Sequence, residues 1–246
     1  MRVAVVSDIH ANKAAFKAVI QTAREETDEI WCLGDLVGYG PDPGDCIELA
    51  QKHCSVILAG NHDLAACGKL DVSDFSSHAR RAMEWTWDQI LPEQKNFLRN
   101  LPVKLEYQGV LLSHGSPANP VWEYILSESD ALAAFVDPSF TCCFFGHTHL
   151  PSGFILCRKA LSRNMTTLYG DPDAVITLKS HSCRYLLNPG SVGFPRDSRD
   201  AHASDSLDRA AARFAIYDTE QQRWEFKRIE YNMRDTAERM VHYRLW

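Results

Sequence analysis

The sequence predicts an α/β (α+β) fold, a two-sheet β-sandwich flanked by helices. In the first half of the chain, short β-branched runs alternate with helical patterns, which is typical of stacked layers with partly parallel strands. From residue 152 onward the pattern changes to a series of short strands. The composition, 45% hydrophobic and 24% charged over 246 residues, is that of a globular chain with a large core. We expect one domain covering residues 1–246.

The alternation begins with a strand at 3–6, and Asn12 behind it is suited to cap the N-terminus of a helix. The apolar residues of that helix recur at helical spacing and form one face. They are Ala15, Phe16, Val19, Ile20 and Ala23. The pattern then predicts a strand at 30–33, a helix at 45–51 and a strand at 55–58.

The stretch 63–101 is predicted to be helical, with Pro92 in a first turn and Leu101-Pro102 ending the region. The remaining predicted elements are strands at 103–107 and 110–112, a helix at 128–135, strands at 141–145, 153–157, 174–178, 184–187, 213–217 and 224–230, and a helix from about 233. The stretch 196–213 is rich in Asp, Ser, Ala and Arg, which favours a solvated loop.

Charge and apolar content exclude several classes of protein. Lys and Arg number 26 against 32 Asp and Glu, so the net charge is 26 − 32 = −6, and we expect no nucleic acid duplex and no membrane as a partner. No apolar run is long enough to span a bilayer or to form the core of a signal peptide. The eight cysteines include no C-x-x-C pair and favour buried reduced thiols, so we expect a cytoplasmic protein.

Residues that can bind a metal follow five of the predicted strands, where ligands of open sheets collect. They are Asp8 and His10, then Asp35, then Asn61, then His114, then His147 and His149. Each alone is more often a helix cap or a hydrogen-bonded core residue, but five such strand ends indicate one shared site. Asp8-x-His10 and His147-x-His149 each place two side chains on one face of an extended segment, so each pair is expected to grip one centre.

These motifs resemble a known family signature. Asp8-x-His10, Gly34-Asp35, Gly60-Asn61-His62-Asp63, His114 and Gly146-His147-x-His149, in this order, resemble the signature of the calcineurin-like metallophosphoesterase superfamily. The stretches 34–43 and 188–193 resemble its small single-domain prokaryotic branch. The resemblance extends from Met1 to about Tyr231 and implies a β-sandwich flanked by helices, in agreement with the pattern above.

The resemblance implies that seven side chains hold two divalent transition-metal ions. Asp8, His10 and His149 would hold the first, Asn61, His114 and His147 the second, and Asp35 would bridge both. A carboxylate has two oxygens to share, whereas an imidazole donates one neutral nitrogen to a metal. The mixed nitrogen and oxygen ligands suit Mn²⁺, our first expectation, or Fe, Zn²⁺ or Ni²⁺, better than Mg²⁺ or Ca²⁺.

The implied reaction is attack of a metal-bridging hydroxide on a phosphoester, without a covalent enzyme intermediate. The family uses the histidine equivalent to His62 as a general acid or to bind the substrate phosphate, and Asn61 next to it is also expected to contact the substrate. The alternative for His62 is a structural role, in which its ring bonds Asp63. Tyr39, four residues after Asp35, lines the substrate entrance or packs in a turn. Arg196 steadies a substrate phosphate or is an ordinary exposed arginine.

Differences between this sequence and other branches of the superfamily narrow the range of expected substrates. Protein phosphatases of the superfamily carry Asp-Arg-Gly where this chain has Gly38-Tyr39-Gly40, so their phosphate-gripping arginine is missing. Its nucleases usually bring a capping domain and a basic surface, which neither the length nor the charge of −6 supports. We therefore expect hydrolysis of a small phosphodiester or nucleotide-type phosphoester. A phosphomonoesterase and a non-catalytic metal-binding scaffold are the alternatives, and the oligomeric state stays open.

Overall fold

The computed structural model describes residues 1–159, 162–178, 182–196 and 210–245. Within these ranges, twelve strands and seven helices form two sheets flanked by helices. In chain order they are β1 (Arg2–Val6), α1 (Lys13–Glu26), β2 (Glu29–Cys32), α2 (Pro43–His53), β3 (Val56–Ile57), α3 (Asn61–Ala66), α4 (Ser77–Gln89), α5 (Pro92–Arg99), β4 (Lys104–Tyr107), β5 (Val110–Ser113), α6 (Glu128–Ala134), β6 (Cys142–Phe144), β7 (Ser152–Lys159), β8 (Ser162–Tyr169), β9 (Val175–Thr177), β10 (Cys183–Asn188), β11 (Ala210–Asp218), β12 (Arg223–Tyr231) and α7 (Arg234–His242).

The two sheets have six strands each, in the orders β3-β2-β1-β11-β12-β9 and β4-β5-β6-β10-β7-β8. In the first sheet β1, β2 and β3 are parallel, and in the second β5, β6 and β10 are parallel. Because parallel strands end at the same edge, the segments after β1, β2 and β3 share one rim of the first sheet, and those after β5 and β6 share one rim of the second. These two rims meet at the site described below.

Apolar side chains fill three layers. Trp31 and Trp224 of the first sheet pack with Leu112 and Phe144 of the second, so this cluster forms the interior of the sandwich. A second cluster joins α1, α2 and α4 to the outer face of the first sheet, and a third joins α6 to the outer face of the second. The predicted apolar face of α1 is fully part of the second cluster, and the side chain of Asn12 accepts from the backbone N–H of Ala15 as its cap.

The predicted fold class is confirmed: two mixed sheets are flanked by helices. The prediction that 63–101 is helical throughout is wrong for 67–76, because Gly68 with φ +75° leaves the helical region and Ser73 N–H bonds the Asp71 carboxylate in a local turn. Strand β8 was not predicted. It lies at the edge of its sheet and its sequence is largely polar, which is common for edge strands and removes the apolar signal.

Two of the eight cysteines contradict the prediction of reduced thiols. Cys157 on β7 and Cys183 on β10 are register partners and form a disulfide, whereas the other six are free. Twenty-six residues separate the two, so only the pairing of their strands brings them together. Of the predicted loop at 196–213, residues 197–209 lie outside the described residues, and β11 already begins at Ala210. None of the described helices is both long and apolar enough to cross a membrane.

Candidate metal centre

The seven residues predicted as metal ligands meet where the rims of the two sheets face each other. Asp8 and His10 follow β1, Asp35 follows β2, Asn61 opens α3 after β3, His114 follows β5, and His147 and His149 follow β6. All seven are buried, with at most 4% of any of them exposed. Burying two carboxylates among imidazoles is costly unless their charge is balanced, so this cluster requires a specific explanation.

Ligand atoms of these residues form two groups, each with all atoms within 4.8 Å of one another. The first group is Asp8, His10 and His149, and the second is Asp35, His114 and His147. In the first, Nε2 of His10 lies 3.0 Å from Nε2 of His149, which lies 3.5 Å from Oδ1 of Asp8.

Asp35 lies between the two groups. Its Oδ2 atom is 3.5 Å from Nε2 of His114 and 3.7 Å from Nε2 of His10. The amide oxygen of Asn61 is 3.2 Å from the same Nε2 atom of His114, so Asn61 joins the second group. A third combination within 4.8 Å comprises His10, Asp35 and His62. The division of ligands that the resemblance implies therefore matches the first two groups, while their assignment to metal ions stays a prediction.

Three histidines of the site share one orientation, in which Nδ1 bonds a backbone carbonyl outside the site. The contacts are Nδ1 of His10 to the carbonyl of Val37 (3.2 Å), Nδ1 of His114 to that of Leu33 (3.0 Å) and Nδ1 of His149 to that of Phe194 (2.6 Å). A proton on Nδ1 that donates to a carbonyl leaves the Nε2 lone pair free and aimed inward. Metal-binding histidines are typically held in this way.

Five of the ligand residues adopt left-handed backbone conformations, which are strained for residues with a Cβ. The φ angles are 54° at Asp8, 48° at His10, 54° at Asp35, 66° at His147 and 61° at His149. The expectation that each pair lies on an extended segment is therefore wrong, although Asp8 and His10 do share one group as predicted. The chain curls immediately after β1 and β6, and His147 and His149 consequently reach different groups.

Two glycines allow the close approach of these loops. A Cβ at Gly60 would overlap the Asp35 carboxylate, and a Cβ at Gly38, where φ is +88°, would overlap the His62 ring. Both positions therefore require glycine for contact reasons, and Gly38 also for its backbone conformation.

Burial and mutual charge shift the pKa values of the carboxylates and histidines. Burial raises the pKa of Asp8 to about 7. Burial also acts to raise the pKa of Asp35, but the positive charge of His114 outweighs it and the pKa lies well below its usual value. Burial opposes a charge on His114, yet the Asp35 carboxylate raises its pKa to about 9. Burial lowers the pKa of His147 and of His149 to about 3, so both rings are neutral and able to donate a lone pair.

The residues present fit divalent metal ions. Among the described residues, the buried atoms Oδ1 of Asp8 and Nε2 of His147 have no hydrogen-bond partner. The Nε2 atoms of His10 and His149 face each other at 3.0 Å while both Nδ1 atoms are engaged with carbonyls, so two lone pairs converge. A cation between such atoms satisfies all of them, and a mixed nitrogen and oxygen donor set is typical of transition metals.

His62 lies beside Asp35 at the edge of the two groups. Its backbone N–H donates to Oδ1 of Asp35 at 2.9 Å, and its ring packs against Tyr39 and Phe75, each with centroids 4.8 Å away. Asp63, the alternative partner for the ring, instead accepts three backbone N–H groups, those of Leu36, Val37 and Gly60. The Nδ1 atom of His62 is buried, lies on the side of Gly38 and has no hydrogen-bond partner among the described residues.

The two predicted substrate-binding residues outside the ligand set also lie at the site. The Tyr39 ring contacts His10 edge-on at 4.7 Å and stacks on Phe194 at 4.9 Å, so it both packs and borders the centre. Arg196 is exposed, and its positive charge acts on the hydroxyls of Tyr39 and Tyr124, where it opposes the rise in their pKa values that burial causes. Sequence reasoning missed Tyr124, which stacks on His147, because it lies in a loop without a motif or periodic pattern.

Comparisons with known proteins agree with this fold and site. Residues 1–208 match the model of the calcineurin-like phosphoesterase superfamily domain. An uncharacterised protein of Methanocaldococcus jannaschii is 33% identical over 253 residues, covering 99% of this chain and 93% of that protein. The crystal structure of a metallophosphoesterase from Sphaerobacter thermophilus is similar with a TM-score of 0.81 at 37% identity, covering 98% of this chain and 93% of that one.

A symmetrical bis(5′-nucleosyl)-tetraphosphatase of Erwinia tasmaniensis is 25% identical over 138 residues, which is 52% of this chain and 48% of that protein. Proteins of the matched family generally depend on divalent metals, for which this rim offers candidate ligand groups. The family match over most of the chain and the agreement in fold lead to one conclusion: the chain belongs to the calcineurin-like phosphoesterase superfamily and is a phosphoric ester hydrolase.

Proposed function

We propose that the protein is a dinuclear-metal phosphoesterase that hydrolyses a small phosphodiester or nucleotide-type phosphoester. The position of Asp35 carries the proposal, because its Oδ2 atom lies 3.7 Å from the ligand nitrogen of His10 and 3.5 Å from that of His114. A carboxylate has enough lone pairs to serve two cations, whereas each histidine serves one. A single-metal site would not require a carboxylate between two ligand groups.

The residues proposed to hold the ions are Asp8, His10 and His149 on one side, Asn61, His114 and His147 on the other, and Asp35 on both. When bound, two divalent ions supply a water-derived nucleophile at neutral pH and positive charge for the phosphoryl oxygens. We propose Mn²⁺ as the first choice and Fe, Zn²⁺ or Ni²⁺ as alternatives, since imidazole nitrogens outnumber carboxylates in the ligand set.

His62 is proposed to protonate the leaving oxygen or to donate a hydrogen bond to the phosphate. Its ring is held by Tyr39 and Phe75, and its Nδ1 atom is unpartnered among the described residues. General acids of this kind contribute about 10² to 10⁴ in rate. Arg196, whose charge acts on the hydroxyls of Tyr39 and Tyr124, supplies a guanidinium for the non-bridging oxygens.

Three observations support a small substrate of the nucleotide type. The chain is acidic overall, with a net charge of −6, which disfavours long polyanions. Several aromatic rings surround the ligand groups, including Tyr39, Tyr124 and Phe194. A partial relative is named as acting on a bis(5′-nucleosyl) tetraphosphate, which is such a compound. Two further expectations stay predictions: that residues 1–246 form one domain, and that the protein works in the cytoplasm.

The test is hydrolysis of bis(p-nitrophenyl) phosphate and p-nitrophenyl phosphate by metal-free protein reloaded with Mn²⁺, Ni²⁺, Zn²⁺ or Mg²⁺, together with the metal content of each preparation. We expect turnover only with a transition metal bound. We also expect two ions per chain, and faster hydrolysis of the diester than of the monoester. Asp88→Asn, a substitution of an exposed aspartate outside the site, is the matched control for Asp35→Asn. Two bound ions without hydrolysis of either ester would instead support the scaffold.

A further inference from the structure

A tyrosine that no motif marks, Tyr124, lies at the edge of the metal centre. Its ring stacks on the ring of His147, with centroids 3.9 Å apart and planes inclined by 15°. The positive charge of Arg196 acts on its hydroxyl and opposes the rise in the Tyr124 pKa that burial causes. Because one face of the ring packs on His147, the orientation of the ring is constrained.

Tyr124 differs from the other aromatic residues near the ligands in its exposure. It is 42% exposed, whereas Tyr39 is 8% and Phe75 7% exposed. Since one face of the ring lies against His147, the exposed area belongs to the opposite face and the ring edge. A flat ring with one open face beside a phosphate site is suited to stack on another planar ring.

The loop that carries Tyr124 is closed by its own hydrogen bonds. The backbone N–H of Gly115 donates to the carbonyl of Pro120 at 2.7 Å, and that of Ser116 donates to the carbonyl of Glu123 at 3.0 Å. The Ser116 hydroxyl also donates to the Glu123 carboxylate. A surface that is already ordered loses little conformational entropy when a ligand binds to it.

We propose that the open face of Tyr124 binds a planar aromatic ring of the substrate while Arg196 and the ligand groups hold its phosphoryl group. The inference rests on the proposed function and defines the substrate class as a nucleotide-type ester. Because Tyr124 lies directly against a ligand histidine, a ring on its outer face is close to the phosphoryl group, as the base is in a nucleoside monophosphate. Tyr124 is then a specificity-determining residue for the reaction.

The test compares AMP with ribose 5-phosphate, which share the sugar and phosphate and differ in the base. Dissociation constants are measured by isothermal titration calorimetry on the Mn²⁺-loaded protein. We expect AMP to bind about tenfold more tightly than ribose 5-phosphate, which is the order of a single base-stacking contact. Tyr124→Phe keeps this ratio, and Tyr124→Leu reduces it to near one. Leu126→Ala, an exposed residue of the same loop at 54%, leaves it unchanged.

If the wild type binds AMP and ribose 5-phosphate equally well, or does not detectably bind AMP, the inference is overturned. It is also overturned if Tyr124→Leu still binds AMP more tightly than ribose 5-phosphate. Hydrolysis of p-nitrophenyl esters by the same preparations separates the two proposals. Turnover without a preference for AMP removes the inference and leaves the proposed function standing, whereas a preference for AMP without turnover removes the proposed function.

Discussion

The two ligand groups on either side of Asp35 differ in backbone and in charge. In the first group Asp8, His10 and His149 all have φ between 48° and 61°. Apart from Asp35, which is left-handed and lies between both groups, the second group consists of Asn61, His114 and His147, of which only His147 is left-handed. The first group also contributes a carboxylate, Asp8, where the second contributes the neutral amide of Asn61. The first group thus combines more backbone strain with more negative charge.

For the proposed dinuclear centre, this difference predicts that the two ions are bound with unequal affinity. The attraction between a cation and a full carboxylate charge in a buried site exceeds that to an amide oxygen. Strained backbone persists only where the surrounding structure fixes it, so the first group is the more rigid of the two. We therefore expect the first group to bind its ion more tightly and the second group to release its ion first.

The largest effect is expected from Asp35→Asn, because it removes the charge that both groups share. Activity of the metal-loaded protein should fall on the order of 10³-fold, comparable to the loss of a key electrostatic contact in other enzymes. Metal analysis of the purified variant should give one ion or none per chain. If the variant binds two ions and keeps near wild-type turnover, Asp35 is not a metal ligand and does not link the two groups.

His149→Ala removes a ligand from the first group only, and His147→Ala removes one from the second group only. Each should lose roughly 10²-fold in activity, since each deletes one direct ligand, and removing even outer partners of ligands typically costs 10- to 100-fold. Metal titration should differ: His147→Ala keeps one tight ion, whereas His149→Ala keeps one weakly held ion. Equal affinities in the two variants would contradict the proposed ranking.

Asp8→Asn makes the two groups alike in charge. In the wild type, stepwise addition of a chelator should remove one equivalent before the other, and in Asp8→Asn the two steps should merge as the first group weakens roughly 10- to 100-fold. Isothermal titration with Mn²⁺ measures both affinities. A wild type that already releases both ions in one step would show that charge does not distinguish the groups.

The smallest effect concerns strain alone and is measured on metal-free protein. At left-handed His149, glycine should be more stable than alanine by about 1 kcal/mol, because only alanine has a Cβ to strain. At His114, which is not left-handed, glycine should be less stable than alanine by about 0.5 to 1 kcal/mol. Denaturant unfolding of the four variants gives both differences, and the same sign at both positions would refute the strain assigned to His149.

Much of the fold and the convergence of the candidate ligand residues could be predicted because their signals are local. Asp8, Asp35, Asn61 and His114 each follow a short apolar run that forms a strand, and the parallel strands then collect them at one rim. The cap of α1 and its apolar face likewise follow from residues a few positions apart.

The features that could not be predicted depend on tertiary pairing. The disulfide requires β7 to lie beside β10, which no local pattern reveals. The separation of His147 from His149 follows from left-handed backbone after β6, whereas residue spacing alone favours an extended segment. Tyr124 reaches His147 only because its loop folds back on itself.

The most direct test of the account is the anomalous difference density of crystals of the Mn²⁺-loaded protein. We expect two peaks roughly 3.5 to 4 Å apart, the spacing of two-metal sites, with one within bonding distance of Asp8, His10 and His149 and the other near Asn61, His114 and His147. Asp35 should bond both. A single peak, or two peaks of which Asp35 bonds only one, would contradict the claim that one carboxylate joins two metal ions.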